Sequence, residues 1–140
     1  MLILDTDHMS LLEWDSNSAA HLRERLSEHN ESDVATTVIN YEEQVRGWMA
    51  YIAKARSIDA QVEAYRRLRN HLDNYRQIPV LDFDSAAAEV YQRLRRAKIR
   101  VGAMDLKIAA IAMATSATLL SRNRRDFQQI PDLKCEDWSV

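Results

Sequence analysis

The chain has 140 residues, 46% hydrophobic and 29% charged, a balance unlike that of disordered or fibrous chains and enough to bury a core without disulfides. Two glycines and two prolines leave little for the turns of a β-sandwich or barrel, and Gly47 and Gly102 alone cannot build a phosphate-cradling loop. Nineteen basic residues stand against 21 acidic ones, a net charge of −2 that does not by itself suggest a nucleic-acid binder.

The length suits one domain spanning residues 1–140. Met1 to Leu4 is a short apolar run that ends at Asp5 and reads as a strand buried on both faces. Asp7 or Ser10 is placed to cap the turn that follows, and Ser10-x-x-Glu13 has capping-box spacing. A helix is expected from about Ser18 to His29, with Leu22 and Leu26 on one face, then a polar break from Asn30 to Asp33. The β-branched run from Val34 to Ile39 predicts a second strand. Val45, Trp48, Met49 and Ile52 fall at helical spacing, and so do Ile58, Val62, Tyr65, Leu68, Leu72 and Tyr75, so two helices are expected to form a hairpin. The Tyr65–Leu68–Leu72–Tyr75 stripe reads as core or dimer surface.

Pro79 ends that segment, Val80 to Phe83 predicts a third strand, and Asp84 is a good N-cap for a helix carrying Ala87, Val90, Tyr91 and Leu94. Arg95 to Arg100 reads as a basic connector. Asp105 opens a segment that is apolar nearly all round, and such a helix must be buried. Thr118 to Ser121 predicts a fourth strand, Arg122 to Phe127 a polar turn, and Lys134 to Trp138 an edge strand. Strands alternating with helices imply an α/β fold with a mainly parallel, four- to five-stranded sheet, whose site lies at the carboxyl ends of the strands.

Acids fall at those ends. Asp5 and Asp7 follow the first strand, Glu42 and Glu43 sit in the first helical turn after the second, Asp105 starts the buried helix, and Asp126 follows the fourth strand. Each can be read as a helix cap or an ion-pair partner. Together in a cleft they would repel one another without a counterion, and hard divalent cations such as Mg²⁺ and Mn²⁺ supply one through oxygen ligands. The basic residues are also unevenly spread. From Tyr91 to Arg125 seven arginines and two lysines meet one acid, Asp105, so this stretch is either a solvated helix face or a phosphate-facing surface. His8, at a helix start, reads as structural, and Trp14, Trp48 and Trp138 as core or interface aromatics. The lone Cys135 fits a reducing compartment, and no run approaches the roughly 18 apolar residues of a membrane span, so a cytoplasmic protein is expected.

Four segments carry a family resemblance: LILDTDHMSLL at the N-terminus, TTVINYEEQVRG, GAMDLKIAAIAMA, and TLLSRNRRDFQQIPDL with Trp138 beyond it. In this order and spacing the chain resembles the PIN-domain ribonucleases, most closely the VapC-type toxins of bacterial toxin–antitoxin pairs. The resemblance implies a PIN-like three-layer fold and a metal-dependent endoribonuclease using Mg²⁺ or Mn²⁺. It implies Asp5, Glu43, Asp105 and Asp126 as the catalytic, metal-binding acids, with Glu43 preferred over Glu42 because Gly47 lies four residues after it. Ser121 and Asn123 occupy the polar positions at the end of the fourth strand. Asn123 stands where relatives often carry Asp, so the fourth ligand lies between Asp126 and that position, and Asp7 replaces a frequent Asn. Arg96 and Arg100, from the basic stretch, would hold the RNA backbone together with Ser121 and Asn123. The implied partners are RNA, a small VapB-like antitoxin and a second copy of the chain.

Two other readings compete. Asp5-Thr6-Asp7 after an apolar strand looks like the start of a haloacid-dehalogenase-type phosphatase, although no later lysine and acidic pair completes it. A catalytically inactive PIN domain that binds RNA or a partner would be expected to lack the acids.

Overall fold

A computed structural model describes residues 1–13 and 15–140, so the expectation for Trp14 lies outside the described residues. Five short strands, β1 (Leu2–Leu4), β2 (Val34–Thr37), β3 (Val80–Leu81), β4 (Thr118–Leu120) and β5 (Lys134–Glu136), pair in parallel in the order β3-β2-β1-β4-β5. Among the described residues seven α-helices join and flank them: α1 (Thr6–Leu11), α2 (Asn17–Ser27), α3 (Val38–Lys54), α4 (Ile58–Arg76), α5 (Ser85–Arg96), α6 (Ala103–Ala114) and α7 (Arg124–Phe127).

The central strand decides the layering. Side chains alternate across a strand, so Ile3 and Leu119 face a cluster with Leu94 of α5, Ile108 and Ile111 of α6, and Phe127 of α7. Leu2, Leu4 and Leu120 face the opposite cluster, with Met9, Leu22, Tyr75 and Trp138. The result is the expected three-layer sandwich. The chain builds β1, β2 and β3 to one side and then crosses back to place β4 beside β1. That reversal of strand order is the switch point where ligands bind in open α/β sheets.

Several local expectations are corrected. Asp5, rather than Asp7 or Ser10, caps α1, accepting from the Thr6 amide, because the chain turns into the helix directly off β1. Ser10 instead lies within α1, and its hydroxyl accepts from Gln44 Nε2. β2 stops at Thr37, whose hydroxyl accepts from the Asn40 amide, so Val38 and Ile39 belong to α3. This early start moves Glu42 and Glu43 out of the first helical turn into the second. Likewise α6 begins two residues before Asp105. Arg95 and Arg96 still belong to α5, the stretch read as a polar turn contains α7, and the edge strand ends at Glu136. β3 is only two residues long, leaving Phe83 in the loop beyond it.

Only the end of the α4 stripe is core. Tyr75 is buried, but Tyr65 and Leu72 are exposed, as are Ile58 and Val62 at 72% and 64%. The cause is length: a 19-residue helix spans about 28 Å, whereas a strand of three or four residues spans about 10–13 Å, so much of α4 lies beyond the sheet. By contrast α6, apolar all round, is buried from Ile108 to Ala112. No helix among the described residues is long and apolar enough to cross a membrane.

Candidate active site

The site is built on the carboxyl ends of β1, β2 and β4. Asp5, 6% exposed, sits at its centre. Its Oδ1 accepts from the Thr6 amide at 2.8 Å and from Asn40 Nδ2 at 2.7 Å, and its Oδ2 accepts from Ser121 Oγ at 2.6 Å. Three elements therefore converge on one carboxylate: β1 supplies it, the start of α3 supplies the amide, and the end of β4 supplies the hydroxyl. Glu43 joins through Thr6, whose hydroxyl donates to Glu43 Oε2 at 3.0 Å. Glu42, one residue earlier, points elsewhere and pairs with Arg46 at 2.6 Å. On the other side, Asn123 Nδ2 donates to both Asp105 Oδ2 (3.3 Å) and Asp126 Oδ2 (3.2 Å).

The electrostatics mark one shared cleft. Burial raises the carboxyl pKa of Asp5, and the Asp7 charge adds to it, against the hydrogen bonds from Ser121, Thr6 and Asn40. Burial also raises Glu43, with further contributions from Asp5 and Asp105. Asp105 is pushed up to about 6, by burial first and then by the charges of Asp5, Asp126 and Asp7. These carboxylates face one cleft, where each ionised acid disfavours ionisation of the next.

The donor set is all oxygen and anionic, which suits a hard divalent ion. Among the described residues no three acidic, histidine or cysteine side chains close around a single point. An ion here would therefore be held by few protein oxygens, and water would fill its other positions, as Mg²⁺ favours.

The remaining predicted residues fall into place by their contacts. Ser121 is fully buried and spent on Asp5, with Asp7 Oδ2 3.3 Å from its hydroxyl. Asp7 Oδ2 also accepts from the Arg122 amide at 2.9 Å, and its Oδ1 lies 2.6 Å from His8 Nδ1. His8 is fully buried, and its Nε2 accepts from the Trp138 amide at 3.1 Å, so the proton belongs on Nδ1. The pair Asp7–His8 thus ties the C-terminal segment to α1, and the structural reading of His8 matches its contacts. Trp138 is buried in the core with Arg25 stacked 4.1 Å above its ring, whereas Trp48 is half-buried beside Tyr51 and His71. Arg96 ends α5 and Arg100 lies in the loop before α6. Both are exposed, and among the described residues neither is ion-paired to the four carboxylates.

Two residues at the centre of the site have no precedent in the sequence reading: Thr6, which links Asp5 to Glu43, and Asn40. Asn40 is completely buried, donates to Asp5 and to Thr6 Oγ1 (3.0 Å), and accepts from Thr37 Oγ1 at 2.7 Å. The one local sign was the Thr37-x-x-Asn40 spacing at a strand end, which is also a common capping pattern. Replacing Asn40 by alanine leaves Asp5 short of a donor and Thr37 short of an acceptor. The expected cost is about 2–3 kcal/mol, read as a lower urea midpoint at an unchanged denaturant slope.

A three-layer α/β sandwich with an acidic cleft at its switch point is the class that fold and site define. A profile of the PIN domain matches residues 2–133, nearly the whole chain. The chain belongs to the PIN-domain family. It is 29% identical over 126 residues, 87% of each chain, to a Salmonella typhimurium protein named tRNA(fMet)-specific endonuclease VapC. Its fold is similar to that in the crystal structure of VapBC2 from Rickettsia felis bound to a promoter DNA fragment, with a TM-score of 0.73, 25% identity and 98% of both chains covered. The crystal structure of DNA-bound VapBC from Salmonella typhimurium is similar too, with a TM-score of 0.71, 25% identity, and 98% of this chain and 97% of that one covered.

Proposed function

We propose that this chain is a VapC-type toxin, an endoribonuclease dependent on Mg²⁺ or Mn²⁺ and restrained by a small antitoxin. The observation that carries the proposal is the buried Asp5, held by Thr6, Asn40 and Ser121 beside Glu43 and Asp105, with Asp126 joined to Asp105 through Asn123. Asp5, Glu43, Asp105 and Asp126 are the acids that would hold the ion, directly or through its bound waters. When bound, it would supply charge stabilisation at the phosphate and a water of lowered pKa. Ser121, Asn40 and Thr6 fix the orientation of Asp5, and Asn123 holds Asp105 and Asp126 in register. An acid of this cluster not fully engaged with the ion would orient the attacking water. The names of the relatives support RNA as the substrate. The exposed apolar side chains of α4, Ile58, Val62, Tyr65 and Leu72, support a protein partner, either the antitoxin or a second copy.

The phosphatase reading loses support from the contacts of its second acid. Asp7, which would be the general acid, is spent on the Arg122 amide and on His8. Purified protein incubated with total RNA and with initiator tRNA, in Mn²⁺ or Mg²⁺, tests the proposal. Cleavage that vanishes with chelator and in Asp5→Ala supports it; equal cleavage by wild type and Asp5→Ala overturns it.

A further inference from the structure

Beside the acidic cleft lies a second, differently built concavity. Phe83, just past the carboxyl end of β3, and Tyr91 of α5 meet edge to face, with ring centroids 5.9 Å apart and planes at 79°. Lys107 of α6 brings its Nζ to 5.9 Å from the Phe83 ring and 5.7 Å from the Tyr91 ring. Arg95 lies 5.8 Å from the Tyr91 centroid, and Arg96 completes the rim of a cavity of about 700 Å³. That volume is within the range of small-ligand sites and accommodates one nucleotide.

Two features bear on what this cavity binds. The arginines of α3 and α4 that face solvent are matched with acids, as in Arg46–Glu42, Arg66–Glu63 and Arg69–Asp73. Among the described residues Arg95, Arg96 and Lys107 have no carboxylate partner, and the nearby Asp84 is spent capping the Ala87 amide. Three unmatched cations around two aromatic rings are the combination that holds a single strand, by stacking a base and neutralising its phosphates. The second feature is position. Lys107 follows Asp105 by two residues on α6, which turns the two side chains to opposite sides of the helix. Asp105 faces the acid cluster while Lys107 faces Phe83 and Tyr91, so the cavity lies about one helix diameter, roughly 10–12 Å, from the acidic cleft.

We infer that Phe83, Tyr91, Arg95, Arg96 and Lys107 form a base-stacking subsite for single-stranded RNA, gripping a nucleotide a short way along the strand from the scissile phosphate. This rests on the reading of the chain as an RNA-cleaving enzyme and adds how the strand is held. An acidic peptide would satisfy only the cations, whereas a single strand draws Arg95 and Lys107 from the rings to its phosphates and offers the rings a base. The rings also pack against the core formed with α6, which holds them rigid for stacking.

The test uses full-length protein carrying Asp5→Asn and a short mixed-sequence single-stranded RNA with the fluorescent base 2-aminopurine placed at each position in turn. One position is expected to be quenched on binding. Tyr91→Leu, which keeps an apolar side chain against the core, should abolish that quenching and weaken binding about tenfold. Lys107→Gln should lower the slope of log affinity against log salt by about 0.7 while melting like the parent. If Tyr91→Leu fails to fold, Lys107→Gln and the double change Arg95→Gln, Arg96→Gln carry the test through the salt slope. Unchanged quenching and slopes overturn the subsite. Tighter binding of oligoglutamate than of RNA, lost in Lys107→Gln, overturns the RNA assignment in favour of an acidic protein segment. Parallel cleavage assays on proteins with Asp5 intact separate the two readings. Cleavage by all of them alongside unchanged binding removes only the subsite, and position-specific quenching without cleavage by wild type removes only the nuclease.

Discussion

Asp5→Asn is expected to abolish RNA cleavage while leaving the fold intact. Loss of one anionic ligand forfeits several kcal/mol of transition-state stabilisation, which corresponds to about a thousandfold or more in single-turnover rate. The fold survives because asparagine can satisfy the same neighbours. Its carbonyl oxygen replaces Oδ1 and accepts from the Thr6 amide and Asn40 Nδ2. Its amide nitrogen replaces Oδ2 and donates to Ser121 Oγ, which already accepts from the Asn123 amide and can turn its own proton toward Asp7 Oδ2 at 3.3 Å. A buried charge is removed while one amide hydrogen is left without a partner, so the urea midpoint near neutral pH should stay close to that of wild type. Asp5→Ala is different: it strips the acceptor from three donors and should cost about 2–4 kcal/mol. Cleavage by Asp5→Asn within a few fold of wild type, with folding intact, would refute the role given to this carboxylate.

The second large effect concerns pH. The Asp105 carboxyl is raised from 3.8 to about 6 in the folded chain, so the folded state binds its proton more tightly than the unfolded state does. Stability then falls as pH rises from about 4 through about 6, and stays reduced above that window. Asp5 and Glu43, both raised, act in the same direction. In metal-free protein Asp105→Asn should therefore flatten this decline. At neutral pH it should be more stable than wild type by about 1 kcal/mol, a figure reduced for solvent screening of a half-exposed group, or about 3 °C in melting temperature. Saturating Mn²⁺ should reverse the order, because an ion bound to the folded state stabilises only the protein that keeps its ligands. Thermal melts across pH, with chelator and with Mn²⁺, measure both effects. A stability difference between wild type and Asp105→Asn that does not change from pH 4 to 7 in chelator would contradict the shared acidic cleft.

Much of the architecture was legible because it rests on local chemistry. The run ending at Asp5, the β-branched stretch at Val34 and the cap at Asp84 each announce an element through neighbours a few residues away. The apolar helix after Asp105 could only be buried. Boundaries were less legible where one residue serves two elements. Thr37 closes β2 and caps α3, and since both states suit a β-branched residue, the strand appeared two residues too long. The α4 stripe has core periodicity, yet periodicity does not say whether a sheet long enough to receive it exists.

The sequence by itself determined a parallel α/β chain with acids after its strands, because strand, cap and helix signals depend on covalent neighbours. It also held the excess of arginine and lysine between Tyr91 and Arg125 behind a near-neutral total. Only the tertiary structure decided what those residues do together. Pairing of β1 with β2 brings Asn40 to Asp5, and pairing of β1 with β4 brings Ser121 to the same carboxylate from more than a hundred residues away. The proton affinity of Asp105, the inward turn of Glu43 against the ion-paired Glu42, and the cations left unmatched around Phe83 and Tyr91 follow from distance and burial. Those quantities govern electrostatic energy, and they exist only once the chain has folded.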